Sequence, residues 1–109
     1  MQWIKSVFYH KPLFEIGKLI ITTEAMNCIL EHGIDLTKII IKHQNGDWSH
    51  LHKWYQKSNL EAVKNHGYIV SAYSDGDQSI CIITDKSRKN TTISRSYEVV
   101  LSPHIPPEN

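Results

Sequence analysis

The second half of the chain carries the clearest alternation of apolar and polar positions. Residues 68–73 (Tyr-Ile-Val-Ser-Ala-Tyr) and 79–84 (Ser-Ile-Cys-Ile-Ile-Thr) are rich in the β-branched and aromatic side chains typical of strands. Residues 75–77, Asp-Gly-Asp, have turn chemistry, so the two runs predict a β-hairpin. A further strand is expected over residues 91–93, with a continuation toward residues 97–101.

The first half of the chain has the spacing and the capping residues of helices. A short strand is expected over residues 14–21, where apolar and polar positions alternate. Three helices are expected after it, over residues 25–31, 36–43 and 60–66. The predicted N-caps are Thr22 or Thr23, then Asp35, then Ser58 or Asn59, and the predicted stops are Gly33, Gly46 and Gly67.

These elements predict the α+β class, with two or three helices packed on one face of a small antiparallel sheet that contains the hairpin. A chain of 109 residues has room for one domain. We expect residues 1–101 to form that domain and residues 102–109 to form a mobile tail. A sheet this small can leave an open edge, which makes homodimerisation an option.

Composition and charge narrow the classes of function. The formal net charge is +1, which provides no strong attraction for nucleic acid or membrane. Cys28 and Cys81 lie in apolar runs and are expected to be buried free thiols. The chain shows no leader pattern and no apolar run of membrane-spanning length, so a cytoplasmic location is predicted, with no cofactor and no membrane partner.

Three histidines and an aspartate cluster between residues 43 and 52. His43, His50 and His52 have the ligand number of a zinc site, but their spacing matches no established pattern. A hydrolase or nuclease-like enzyme could use His43 as general base and Asp47 as its orienter. The alternative is a solvated loop in which Asp47 forms a local turn.

Aromatic and basic residues alternate just after this cluster. Trp48, Trp54 and Tyr55, with Lys53 and Lys57, could stack on bases or anchor a protein partner. The alternative is that the tryptophans fill the core.

The polar turn over residues 85–90 is a third candidate. Arg88 with Thr91 and Thr92 could hold a phosphate group. The alternative is an exposed loop between strands.

From residue 14 to residue 93 the sequence resembles a family of small proteins encoded on bacterial plasmids, integrated elements and phages, often called plasmid-related proteins. The chain departs from that family at Ser49-His50, where the family has Gly followed by an acidic residue, and at Ser87, where the family has an acidic residue. The matching positions are His43, Gly46-Asp47-Trp48, Asn59, Ala62, Gly67, Ser71-Ala72-Tyr73, Ile82-Ile83-Thr84, Arg88 and Thr91-Thr92-Ile93.

The resemblance implies a fold and a genetic setting rather than a reaction. It favours an accessory protein of a mobile element that binds another protein without catalysis, in counter-defence of the anti-CRISPR or anti-restriction type. An enzyme and a nucleic-acid-binding protein remain alternatives. Several shared residues also suit structural roles: Asn59 could cap the third helix, and Arg88 could pair with Asp47 or Asp85.

Overall fold

The computed structural model of the chain describes residues 12–48, 51–75 and 77–99. It contains both helices and a four-stranded sheet, which confirms the predicted α+β class. In chain order the elements are β1 (Lys18–Ile21), α1 (Thr23–His32), α2 (Leu36–Gln44), α3 (Lys53–Asn65), β2 (Ile69–Asp75), β3 (Gln78–Thr84), β4 (Asn90–Arg95) and α4 (Ser96–Val99).

The strands lie in the order β1-β4-β3-β2. β2 pairs with β3 and β3 with β4 in antiparallel fashion, whereas β1 pairs with β4 in parallel, from Lys18 opposite Asn90 to Ile21 opposite Ile93. The sheet is therefore mixed, and the expectation of a wholly antiparallel sheet was wrong for its first strand. Short turns dictate antiparallel pairing only between consecutive strands, and three helices and a hairpin separate β1 from β4.

The predicted hairpin is confirmed. Its register runs from Ile69 opposite Thr84 to Asp75 opposite Gln78. The predicted continuation of the last strand is wrong for residues 97–99, because α4 begins at Ser96, and residues 100 and 101 lie outside the described residues. The Glu98 carboxylate accepts hydrogen bonds from the Arg95 backbone N–H (2.7 Å) and the Thr22 hydroxyl (2.8 Å), and this stabilises the turn away from the sheet.

The caps of the first two helices are confirmed. The Thr22 hydroxyl accepts from the Ala25 N–H at 3.1 Å, and the Asp35 carboxylate accepts from the Lys38 N–H at 3.1 Å. Gly33 ends α1 in the left-handed conformation, with φ of 61°. Each device satisfies a backbone group that a helix terminus leaves without an intrahelical partner.

The third helix is longer than predicted, and its predicted cap was wrong. α3 begins at Lys53, with His52 as N-cap, so Asn59 lies inside the helix. The Asn59 carboxamide donates to the Val70 carbonyl (2.8 Å) and accepts from the Val70 N–H (3.0 Å). It therefore occupies the outer edge of β2, as the backbone of a neighbouring strand would. His66, rather than Gly67, takes the left-handed position at the end of α3.

The predicted first strand over residues 14–21 is shortened to β1. Phe14 is buried rather than extended along the sheet, and its ring packs edge-on against the His43 imidazole with centroids 5.0 Å apart. Gly17 then turns the chain with a φ of +60° immediately before β1.

The helices that bury apolar side chains do so on one face of the sheet, as predicted. α1 packs against β4, and α3 packs against β2. One cluster joins Ala25, Cys28, Ile29 and Ile39 to Ile80, Ile82 and Ile93, and a second joins Phe14, Trp48, Ala62 and Ile69.

Several expectations fall partly or wholly outside the described residues. They concern residues 1–11 and 100–101 of the predicted domain, Gly76 of the predicted turn, the placement of His50, and the predicted tail, residues 102–109. Among the helices that are described, none has the length and apolar character that crossing a bilayer requires.

Two glycines with the same backbone conformation offer a test of the β1–β4 contact. A Cβ at Gly17 would lie 2.3 Å from the Lys89 carbonyl oxygen, whereas a Cβ at Gly33 would meet nothing within 4 Å. We expect Gly33→Ala to lower the free energy of unfolding by about 1 kcal/mol, the cost of the left-handed conformation alone. Gly17→Ala should lower it by about 3 kcal/mol or more, because backbone must also move. Urea denaturation measures both, and equal losses would contradict the tight β1–β4 approach.

Candidate functional site

His43 lies at the centre of a buried chain of polar groups. It projects from the last turn of α2 and is fully buried. Its Nδ1 lies 2.5 Å from the Ser71 hydroxyl on β2, and its Nε2 lies 2.8 Å from the Thr84 hydroxyl on β3. Ser71 and Thr84 are also fully buried, so each ring nitrogen has a hydroxyl partner in place of water.

The hydroxyl partners determine where the imidazole proton sits. The Thr91 hydroxyl donates to the Ile16 carbonyl at 2.8 Å, so it accepts from the Thr84 hydroxyl, 2.7 Å away. Thr84 has then used its only proton and must accept from His43 Nε2–H. Ser71 in turn donates to Nδ1. The chain of hydrogen bonds thus runs in one direction and requires the Nε2–H tautomer.

Burial makes this imidazole a poor base. Desolvation, with a contribution from the charge of Arg88, lowers the pKa of His43 to about 3. A general base working near neutral pH needs a pKa close to that pH and access to the proton it abstracts. The His43 imidazole instead joins α2 to β2 and β3 through hydrogen bonds buried in the protein interior.

Asp47, the second residue of the proposed catalytic pair, follows α2 and is exposed. Because hydroxyls occupy both nitrogens of His43, the Asp47 carboxylate does not orient that ring by a hydrogen bond. Asp47 instead lines a cleft between α2 and the β2–β3 hairpin, with a volume of about 680 Å³.

The cleft combines an apolar base with charged walls. Ile39 and Ile80 are buried and line its interior. Lys38 and Lys42 lie one turn apart on α2, and Tyr73 and Ser74 come from β2. The remaining lining residues are Gly33, Ile34, Asp35 and Asp47.

The phenol of Tyr73 stays protonated in this setting. Burial raises the pKa of Tyr73 to about 12; the Ser71 hydroxyl acts in the opposite direction, and the charge of Asp47 raises it further. The hydroxyl oxygen is itself buried, so Tyr73 lines the cleft without presenting an accessible hydroxyl group. Ser71 also bonds to His43, so the cleft borders the buried polar chain.

The Arg88 guanidinium forms hydrogen bonds with three backbone carbonyls. One guanidinium nitrogen donates to the Gly67 carbonyl (2.7 Å) and the Asp85 carbonyl (2.8 Å), and the other donates to the Ala62 carbonyl (2.7 Å). Ala62 O and Gly67 O lie at the C-terminal end of α3, where carbonyls need donors. Arg88 thus ties this end of α3 to the β3–β4 turn, and it pairs with carbonyls there rather than with the carboxylates that the sequence predicted.

The other nominated residues are dispersed through the fold. Trp48 is buried in the second core cluster. Trp54 and Tyr55 are half-buried in the first turn of α3, with ring centroids 4.9 Å apart and edge to face. Thr91 belongs to the polar chain, whereas Thr92 points to the opposite face of β4.

The remaining candidates are the histidines proposed as metal ligands and the two cysteines. The Nδ1 atom of His52 accepts a hydrogen bond from the Trp54 N–H at 3.1 Å and so caps α3. The part of the chain that the structure describes holds no group of three potential metal ligands. Cys28 and Cys81 are buried free thiols, and burial raises the pKa of Cys81 to about 12, far from that of a reactive thiolate.

Sequence reasoning missed Lys38, Lys42 and Tyr73 as members of one site. A signal was present for the lysines, because residues 38 and 42 fall on one side of α2, beside the buried stripe of Ile39 and His43. No spacing of residues along the chain indicated that α2 would lie beside β2, which carries Tyr73.

No family model, no curated protein and no solved structure matches this chain. The case for its function therefore depends on the geometry of the cleft and of the buried polar chain.

The depressed pKa of His43 predicts acid-sensitive stability. The unfolded chain takes up a proton at His43 near pH 6.5, whereas the folded chain does so only near pH 3. Stability from this group is therefore complete above pH 6.5 and falls as the pH drops toward 3, by up to about 1.4 kcal/mol per pH unit. Denaturant titrations at pH 7, 6 and 5 measure the slope.

His43→Gln should reduce that slope. His32→Gln, which changes an exposed histidine in the last turn of α1, should leave it intact. An unchanged pH dependence in the His43 variant would contradict the buried neutral imidazole. In the unaltered chain, ¹⁵N shifts of His43 should report the Nε2–H tautomer down to pH 5.

Proposed function

We propose that this chain is a non-enzymatic protein-binding module, cytoplasmic and carried by a mobile element, that uses the cleft between α2 and the β2–β3 hairpin to hold a component of host defence. The observation that carries this proposal is the contrast between two groups of polar residues. His43, Arg88 and Thr91 are engaged within the fold, whereas Lys38 and Lys42 line the wall of an open cleft.

The chemistry of the cleft favours an acidic partner segment with an apolar anchor. Ile39 and Ile80 offer a dry base for one aliphatic or aromatic side chain. Lys38 and Lys42 offer two ammonium groups about one helical turn apart, suited to a carboxylate beside that anchor. The Asp35 carboxylate, which caps α2, also lines this wall.

Tyr73 and Asp47 complete the lining of the cleft. Tyr73 lies on β2 with its hydroxyl oxygen buried, so it adds shape rather than an accessible hydrogen-bonding group. Asp47 places a carboxylate just beyond the end of α2. The opposite charges of Lys42 and Asp47 favour one orientation of a bound peptide or loop.

The genetic setting in this proposal comes from the sequence resemblance to plasmid-related proteins. In this proposal the host component is a restriction enzyme or a CRISPR effector. The His/Asp enzyme and the nucleic-acid-binding module receive less support, because His43 is enclosed, and Trp54 and Tyr55 are half-buried against each other.

Charge reversal in the cleft tests the proposal. We expect Lys38→Glu with Lys42→Glu to weaken capture of the partner at least about tenfold, because two favourable charge contacts become repulsive. Lys53→Glu with Lys57→Glu is the matched control, since these exposed lysines have the same spacing on α3. Capture from a nuclease-treated lysate, followed by calorimetry with the purified partner, gives the affinities.

A cellular assay connects binding to counter-defence. Cells with an active restriction enzyme or CRISPR complex should plate an incoming phage more efficiently when they express the unaltered chain or the Lys53/Lys57 control. The Lys38/Lys42 variant should lose that effect. Equal partner capture by both charge variants would reject the cleft as the binding site.

A further inference from the structure

The two edges of the sheet differ in how their backbone groups are satisfied. At the β2 edge, the Asn59 carboxamide bonds to both the N–H and the C=O of Val70. α3 also packs against β2. An incoming strand would have to displace the Asn59 side chain there, so the β2 edge is blocked at Val70.

The β1 edge presents the opposite situation. Lys18 N donates to the Lys89 carbonyl (2.8 Å) and Thr22 N donates to the Ile93 carbonyl (3.0 Å), so alternate residues face β4. Leu19 and Ile21 therefore direct their backbone N–H and C=O groups outward. α1 begins immediately after β1 but packs over β4, and within the described ranges no other strand or helix is paired to this edge.

We propose that the β1 edge is a homodimer interface, in which β1 of a second copy pairs antiparallel with it and joins two four-stranded sheets into one of eight strands. This inference goes beyond the proposed function, because it concerns a surface separate from the cleft. The occupant follows from the asymmetry of the edges: two β1 edges that pair with each other are both used at two copies, and Asn59 obstructs further pairing at Val70 of β2.

The sequence of β1 is compatible with pairing to itself. When Leu19 lies opposite Ile21 of the second copy, Ile20 lies opposite its own equivalent, and Lys18 lies opposite Thr22. No like charges then face each other across the pair. Ile20 is 40% exposed in the single chain, and this register covers its side chain with the same side chain of the second copy.

A four-residue strand pair buries little area, so we expect a weak, concentration-dependent dimer. Sedimentation of the full chain between about 1 and about 200 µM should show a rise in mass from 12.6 kDa toward twice that value, as mass action requires. A chain that stays at 12.6 kDa throughout would overturn the proposal.

Two substitutions distinguish pairing at the β1 edge from nonspecific hydrophobic association. Ile20→Lys brings two ammonium groups face to face in the pair and should leave only the monomer at concentrations where the unaltered chain is dimeric. Leu60→Lys makes the same chemical change at a leucine of α3 that is 56% exposed, and it should leave the dimer intact. If the Leu60 variant dissociates while the Ile20 variant does not, the interface lies elsewhere.

Hydrogen exchange gives a readout that does not depend on a variant folding. The amides of Leu19 and Ile21 should gain protection as the concentration of the unaltered chain rises, whereas the amide of Ile20, which faces β4, should be protected at every concentration. Protection of Leu19 and Ile21 that is independent of concentration would mean that the chain covers its own edge, and would overturn the proposal.

Discussion

The hydrogen bonds of the buried His43 imidazole are the interaction on which the rest of this fold depends. The ring joins the end of α2 to β2 through Ser71 and to β3 through Thr84, and Thr84 passes the chain on to β4 through Thr91. Thr91 then holds the Ile16 carbonyl, at the approach to β1. Removing any one member would leave a buried partner unsatisfied, at a cost of about 1–3 kcal/mol. The network thus links α2, β2, β3, β4 and the approach to β1, in addition to the two apolar clusters.

Two other polar side chains complete this arrangement, one at the middle and one at the C-terminal end of α3. Asn59 ties the middle of the helix to the β2 edge, and Arg88 ties its last carbonyls to the β3–β4 turn. Arg88 itself adopts a φ of 63°, which is costly for a residue with a Cβ. The three guanidinium hydrogen bonds offset that cost, since each satisfies a carbonyl near a chain turn. Polar residues that the sequence offers as candidates for a functional site thus form hydrogen bonds that hold the fold together.

How much of this was predictable follows from the range of each interaction. The β2–β3 hairpin and the caps Thr22, Asp35 and Gly33 arise from residues within a few positions of one another, and the sequence predicted them. The parallel pairing of β1 with β4 joins residues about 70 apart, and no local pattern specifies it. Asn59 shows the same limit in a single side chain. Its type suits a helix cap, but its partner is Val70, on a strand whose position depends on the whole fold.

The candidate site followed the same rule. The histidine cluster was conspicuous because His43, His50 and His52 are close in sequence. In the structure, however, His43 is buried in the core, and His52 is the N-cap of α3. Lys38, Lys42 and Tyr73 gave a weaker signal, because they meet only after α2 packs beside β2. Sequence proximity therefore did not predict which residues meet when helices pack on a sheet.

The same hydrogen bonds link the two walls of the cleft. Its two walls are α2 and β2, and the 2.5 Å contact between His43 and Ser71 fixes their separation from beneath. Under the proposed function, a partner would meet two walls already linked through the core, so less of its contact energy would be spent on loss of entropy. The lysine side chains would lose rotamer freedom only on engaging that partner. In that proposal, a hydrogen bond in the core thereby helps to set the shape of the binding surface above it.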